Sequence, residues 1–329
     1  MSLGILKGFD DYYKNYVKAC EELKLQYEII DIVSDGWIER IKQSQCDGFL
    51  HRPAADSSTH KEMFDSRLFF INKVLNKPIY PDFLSTYIYE SKKNMYYWLE
   101  MNDIPHANTH IFYNKEEALD FVNSNKEWPL IFKPNVGSAA IGILFLKNKR
   151  QAKRLINRSF TKWRFFNKGY TPWYKTKYGF KIPLMYNKQY DYVEFQSKID
   201  IKYEWRIIQI GGSFFGHQKL EKNGLHSGSG LVGWVAPPFE LLDFVKHICE
   251  LGHFDSMDVD VFEDKDGNFI VNELQAIFGS YNASQMYINE KPGRFICKNG
   301  CWVFEEGVFC QNASNNLRVE SFAKQLGLL

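Results

Sequence analysis

Residues 257–277, MDVDVFEDKDGNFIVNELQAI, constrain the chain more than any other stretch, because they set acidic side chains on two apolar segments that must pair. DVDVF alternates, the turn-forming DKDG follows, and NFIVNELQ alternates again, which is the pattern of a β-hairpin. With Asp266-Gly267 as a two-residue loop, Asp260 lies opposite Glu273 and Asp258 opposite Gln275; with a four-residue loop, Asp258 faces Glu273 instead. The acidic face also carries Phe262, Phe269 and Val271, and the other face Val259, Val261, Ile270 and Leu274, so both faces read as buried. Two carboxylates about 5 Å apart repel by roughly 3 kcal/mol at an effective dielectric of about 20. A shared proton or a nearby lysine would offset this in a purely structural hairpin. A carboxylate pair beside an amide oxygen is also the hard oxygen set that Mg²⁺ prefers, with phosphate oxygens completing its shell.

At 329 residues the chain has room for two or three domains or lobes. A formal net charge of +2 gives no reason to expect nucleic acid as a partner. The N-terminus reaches the acidic pair Asp10-Asp11 too soon for a signal peptide, and no stretch approaches the roughly 20 apolar residues of a membrane span. The expectation is a cytoplasmic protein with no membrane insertion. Cysteines at 20, 46, 249, 297, 301 and 310 form no disulfide framework, and Cys297 and Cys301, flanking a KNG turn, have no second ligand pair for zinc.

Residues 1–85 alternate strand and helix: GILKG, DDYYKNYVKACEEL, YEIIDIV, WIERIKQS, DGFLHRP, a helix from His60 to Val74, and PIYPD. Such a series builds β-α-β units on a parallel sheet. Ligands gather at the carboxyl ends of parallel strands, which makes His51 and Arg52, closing DGFLHRP, candidates for gripping an anion; the alternative is a plain surface loop.

A second unit begins after Pro81, with SKKNMYYWLEMNDIP as a helix, NTHIFY as a strand and KEEALDFVNSN as a helix. WPLIFKPNVGSAAIGILFL then places Lys133 in an apolar strand, where a lysine needs an anionic partner. NVGSAAIG is not a P-loop, since the lysine precedes the small residues and a strand follows them; it reads as a flap whose N–H groups approach phosphate. From Ser159 to Lys181 aromatic and basic residues interleave, which suits packing on a neighbouring lobe better than base or sugar stacking. Arg206 heads an apolar strand, where its fork of donors suits a phosphate or carboxylate, with an ion pair to Glu204 or Glu194 as the structural alternative. SGSG, Ser227 to Gly230, is either a flexible turn or a second backbone cradle for an anion.

The order of lysine helix, buried-lysine strand with flap, EFQ strand, arginine strand and acidic hairpin resembles the ATP-grasp superfamily from about Ser85 to Phe278. Within it the chain is most similar to bacterial ATP-grasp proteins with an SGSG stretch and a late KPGR…W.FEEG motif, here KPGRFICKNGCWVFEEG. The resemblance implies an α/β fold: a Rossmann-like pre-ATP-grasp domain at 1–85, a first ATP-grasp lobe with the phosphate flap at 86–192, and a C-terminal lobe with the metal-binding hairpin at 193–329. It implies ATP and Mg²⁺ as cofactors, with Mn²⁺ as a substitute. Lys92 (or Lys93) and Lys133 would hold nucleotide phosphates, and Glu194, Phe195 and Gln196 would form the hinge at the adenine. Gly137, Ser138 and Gly142 would belong to the flap, and Asp260, Glu273 and Gln275 would hold the metal, Asp260 being preferred over Asp258 by spacing. Arg206 would stabilise the transferred phosphate and act with Lys133 in catalysis, while His51, Arg52, Ser227 and Ser229 are the candidate substrate contacts. Three departures stand out: Gln275 where asparagine is usual, Ala139 and Ala140 in the flap, and AIFG in place of a proline-glycine ending.

The implied chemistry is phosphoryl transfer from ATP to a carboxylate, followed by attack of an amine on the acyl phosphate, giving an amide, ADP and phosphate. The partners would be a small-molecule, peptide or saccharide carboxylate and an amine acceptor, and a homodimer is compatible with this. The tailoring of peptides or surface polysaccharides is the associated setting. Two alternatives stay open: a kinase acting on a sugar or polyol hydroxyl, and a non-catalytic nucleotide-binding protein.

Overall fold

The computed structural model describes residues 2–53, 58–136, 142–160, 191–220, 231–278 and 283–329, and the backbone alone of 165–166, 188–189, 221–222 and 225–226. Two compact units emerge. One joins Met1–Ala54, Met63–Tyr89 and Ile201–Leu329; the other comprises Ala55–Glu62 and Glu90–Asp200. Most of 1–85 and all of 201–329 fall in one unit, while 193–200 falls in the other.

In the first unit, strands Leu3–Lys7, Tyr27–Asp31, Gly48–Leu50 and Ile79–Tyr80 form an all-parallel sheet in which Leu3–Lys7 lies between Tyr27–Asp31 and Gly48–Leu50. Helical segments separate successive strands, as parallel pairing demands. Leu6, Ile30, Phe49, Phe64 and Leu68 pack in one core cluster, and Leu3, Ile5, Tyr16, Leu50 and Tyr80 in another. Gly4 admits the ring of Phe49, whose nearest carbon lies 2.1 Å from where a Cβ would stand. Val319 and Phe322 of the C-terminal helix Asn315–Gln325 complete the second cluster, so the end of the chain closes the core of its beginning.

The same unit contains a large antiparallel sheet whose order runs Phe269–Gln275, Ser256–Asp264, Ile201–Ile210, Ser213–Lys219, Lys291–Lys298. The hairpin of residues 257–277 is present, but its connection is not the two-residue loop. Asp264 N donates to Asn268 O at 3.1 Å, leaving Lys265, Asp266 and Gly267 as a three-residue turn, with Gly267 at φ +83°. A bulge at Asn272 then shifts the register by one, restoring Asp260 opposite Glu273 and Asp258 opposite Gln275. The bulge also changes the faces: Phe262 pairs with Ile270 and Val261 with Val271, so Phe269 and Val271 do not share the acidic face as the uninterrupted alternation predicts.

The second unit is built on an antiparallel sheet ordered Thr109–Phe112, Val193–Ser197, Leu130–Phe132, Leu144–Leu146. Helices Lys115–Ser124 and Lys149–Ser159 bury Ala118, Val122, Leu155 and Ile156 against Phe132 and Phe195 of this sheet. Asn114 and Asn148 begin these helices with side-chain oxygens that accept from Glu116 N and Gln151 N. Among the described residues no helix is long and apolar enough to cross a membrane, and all six cysteines are free thiols.

Candidate active site

Period-two alternation on four adjacent strands brings a set of charged residues of the first unit onto one sheet face. Arg206 is directly opposite His217 on one neighbour and Asp260 on the other, and Asp260 is opposite Glu273, giving the row His217, Arg206, Asp260, Glu273. The adjacent row holds Ile208, Asp258 and Gln275. Glu204 and Lys219, each two residues along its strand, extend the same face.

Arg206 holds Asp260 with both edges of its fork, Nε to Oδ1 at 3.0 Å and Nη2 to Oδ2 at 3.1 Å. Lys219 Nζ donates to Asp260 Oδ2 at 2.8 Å and also to Glu204. Burial alone would raise the Asp260 pKa, but Arg206 and Lys219 outweigh it and hold this carboxyl well below the usual range. Asp258 is in the opposite situation. It is 1 % exposed, and although Arg206 Nε comes within 3.0 Å of its Oδ2, neither of its oxygens accepts a hydrogen bond among the described residues. Burial pushes it up to about 8 against the pull of Arg206. Burial likewise lowers His217 to about 4; its Nδ1 lies 2.9 Å from Gln285 O.

In the second unit Lys133 follows Phe132 and Glu194 precedes Phe195, whose strands pair at Phe132 and Phe195, so the two charged residues occupy the next rung of the ladder. Both are buried. Burial pushes Glu194 up to about 7, partly offset by Lys133, Lys92 and Lys93. Asn135, two residues after Lys133, ties this strand end to the lysine helix: its carbonyl accepts from Lys92 N at 3.0 Å, and its side-chain oxygen from Lys93 N at 3.0 Å and Ser91 Oγ at 3.2 Å. Lys93 Nζ donates to Tyr113 OH at 2.9 Å and sits 4.1 Å from the centre of the Tyr192 ring.

Phe195 and Gln196, expected at the hinge, differ in their surroundings. Phe195 is fully buried, its side chain packs in the apolar core, and its strand is paired on both sides. Gln196 donates from Nε2 to Thr109 Oγ1 at 3.0 Å. Gly142 adopts φ +75°, a left-handed turn position suited to glycine. Gly137, Ser138, Ser227 and Ser229, with most of the aromatic-basic segment, lie outside the described residues.

At the parallel sheet, His51 corrects the sequence expectation. It is fully buried, its Nε2 lies 2.8 Å from Pro81 O, and burial lowers it to about 4, so it is a neutral core histidine and cannot grip an anion by charge. A buried position at a strand end carries no periodic mark that separates it from a surface loop. Arg52 keeps its candidacy: its guanidinium carbon lies 3.8 Å above the Tyr12 ring, and Nη1 donates to Asp10 Oδ2 at 3.1 Å.

The sequence matches no family model and no curated protein. Solved structures do match. The RimK domain ATP-grasp protein from Sphaerobacter thermophilus DSM 20745 aligns with a TM-score of 0.53 at 12% identity, over 83% of this chain and 90% of that one. N5-carboxyaminoimidazole synthetase from Staphylococcus aureus aligns with a TM-score of 0.55 at 13% identity, over 90% and 81%. The chain has the ATP-grasp fold. The ATP-grasp ligase PsnB, in a complex with minimal precursor, Mg and ADP, aligns with a TM-score of 0.51 at 13% identity, over 83% and 88%.

Against the ATP-grasp fold, the acidic face invites a test of fit to a divalent cation. Its donors are of the right kind: carboxylates of Asp260 and Glu273 on one rung, the Gln275 amide beside them, and Asp258 with two oxygens that accept no hydrogen bond among the described residues. They fit a hard cation. As the face stands, however, it is a compensated ion cluster, with Arg206 and Lys219 on Asp260, and no group of three His, Cys, Asp or Glu among the described residues is arranged as a metal centre. Sequence reasoning missed Lys219 and His217. Lys219 lies 41 residues from the Asp260 it neutralises, and nothing in its own neighbourhood marks it.

Proposed function

We propose that this protein is an ATP-dependent carboxylate–amine ligase. The observation that carries the reading is the Arg206–Asp260–Glu273 row: a guanidinium and paired acids on one face of an ATP-grasp sheet, where opposite charges suit the handling of a phosphoryl group. The names of structural relatives support it, since PsnB is a ligase and was seen with Mg and ADP. Lys133 and Lys92 are the phosphate-holding lysines, with Gly137, Ser138 and Gly142 supplying flap N–H groups. Glu194 begins the adenine side. Asp260, Glu273 and Gln275 would hold Mg²⁺, which would supply positive charge to offset that of the phosphate groups.

An acid oxygen attacks the terminal phosphorus of ATP, the bond to the ADP oxygen breaks, and the acyl phosphate forms. The amine nitrogen then attacks the acyl carbon, phosphate leaves, and the nitrogen loses a proton to give the amide. Arg206 stabilises the phosphoryl group in flight, and Arg52 orients the acid. Peptides bearing carboxylates are the first substrates to screen, because PsnB was also seen with a precursor peptide, and carboxylate-bearing surface saccharides the second. Incubation with ATP, Mg²⁺, candidate acids and hydroxylamine tests the reading: a hydroxamate with release of ADP supports the ligase, whereas a phosphorylated alcohol identifies a kinase. ATP binding without turnover of any candidate would leave a nucleotide-binding protein.

A further inference from the structure

Arg318, in the C-terminal helix, is fully buried. Its Nη2 donates to Phe278 O at 3.3 Å and its guanidinium carbon lies 4.2 Å from the centre of the Phe278 ring, but Nε and Nη1 have no partner among the described residues. No carboxylate among them forms an ion pair with it. A sequestered guanidinium normally has its fork filled, because each unmet charged donor opposes folding. Two further features surround it. Asn315, one turn earlier and equally buried, donates to Tyr12 OH at 3.3 Å and to Asn312 O at 2.8 Å, while its Oδ1 accepts nothing among the described residues. The preceding backbone, Asn312 to Ser314, runs through three consecutive left-handed residues with φ of 51°, 52° and 64°, held there in part by Asn312 Nδ2 on Asn15 O at 2.7 Å. Backbone of this kind is costly for non-glycine residues and collects at binding sites.

The cluster continues to Arg52. Tyr12, which accepts from Asn315, is the ring beneath the Arg52 guanidinium, and Arg52 Nε is also without a partner among the described residues. Tyr16 donates to His51 O at 3.2 Å and feels the charge of both Arg318 and Arg52. Arg52 is the outer end of this set, with 29% of its side chain exposed; Arg318 is the inner end.

We propose that Arg318, with Arg52 at its outer edge, seats a small oxyanion, the carboxylate or phosphate group of the acceptor substrate. The assignment of that anion to the acceptor rests on the ligase reading; the seat itself does not. Two arginines with open donors match the acceptor-only chemistry of an oxyanion, and the carboxyl ends of parallel strands, where His51 and Arg52 lie, are where an α/β sheet gathers ligands.

The test uses the full-length chain and two probes, inorganic phosphate and succinate, titrated at constant ionic strength while the melting temperature is followed. The wild type should show a saturable rise with at least one probe, phosphate or succinate alone identifying which group the seat prefers. Arg318→Met should fold with a ligand-free melting temperature equal to or above that of the wild type and lose the response, because an unpaired charge has been replaced by an apolar chain of similar length. Arg52→Gln should weaken half-saturation by about tenfold. Three results overturn the proposal: a wild-type rise no larger than that in sodium chloride, Arg318→Met retaining the response, or Arg318→Met failing to fold while Arg52→Gln leaves half-saturation unchanged. Stabilisation by Mg-ADP, measured on the same proteins, keeps the two readings apart. Both variants should retain it, and its absence from the wild type would remove the ligase reading without touching the oxyanion seat.

Discussion

Arg206 grips Asp260 from the directly opposite position on the neighbouring strand, through Nε at 3.0 Å and Nη2 at 3.1 Å. In the ligand-free fold this guanidinium and the Lys219 ammonium occupy the carboxylate that the ATP-grasp arrangement would give to a metal. On the proposed reading, binding of a metal there would exchange cations on Asp260. Replacing that acid removes the carboxylate that two buried cations share, leaving Arg206 with Asp258 and Lys219 with Glu204, so Asp260→Asn should lose about 1–3 kcal/mol of stability. Urea denaturation in EDTA measures it, and a loss below about 1 kcal/mol would mean that the cluster relaxes without its central carboxylate.

Glu273→Gln should behave differently, although Glu273 is the cross-strand neighbour of Asp260. Arg206 keeps Asp258 and Asp260, so ligand-free stability should change by no more than about 1 kcal/mol, while ATP-dependent turnover is lost. Thermal unfolding with and without Mg-ATP separates the roles. A variant destabilised without ligand, yet gaining the full stabilisation from Mg-ATP, would make Glu273 a partner of the ion cluster and not of the metal.

Lys133→Ala should weaken nucleotide binding by about 10- to 100-fold, the loss of one charge-assisted contact of roughly 1.5–3 kcal/mol. Calorimetric titration with the ATP analogue AMPPNP reads this directly. Unchanged affinity in a folded variant would reassign Lys133 to its buried neighbour Glu194.

His51 supplies a pH dependence with a defined sign. Burial lowers it to about 4, below its ordinary 6.5, so the unfolded chain takes up the proton first as the solution is acidified. Its contribution is complete above about pH 6.5, and up to about 3 kcal/mol is lost progressively as pH falls towards 4. His217 follows the same course. Unfolding free energies of His51→Gln between pH 4 and 7 should therefore decline less on acidification than those of the wild type, leaving the share due to His217. Parallel curves would show that His51 titrates normally in the fold.

Much of this architecture was legible along the chain. Alternation marked the strands on both sides of DKDG, helical segments between short apolar runs marked the parallel sheet, and Asn114 and Asn148 stand where their helices begin. The pairing of Asp260 with Glu273 is one of the two registers that the same pattern allowed, reached through a three-residue turn offset by a bulge at Asn272. The bulge itself was not legible, because one extra residue in a run such as FIVNELQ leaves the composition unchanged.

By itself the sequence determined which segments are strands and helices, and that carboxylates, lysines and an arginine must be carried on apolar strands, because these depend on local periodicity and on the cost of burying charge. Only the tertiary structure decided which cation meets which acid. Lys219 reaches Asp260 across 41 positions, His51 turns inward to Pro81, and Val319 and Phe322 complete a core begun at the other end of the chain by Leu3 and Ile5. Such partners are chosen by strand order and by the return of a terminal helix. They are long-range properties of the packed chain, and no residue's immediate neighbours contain them.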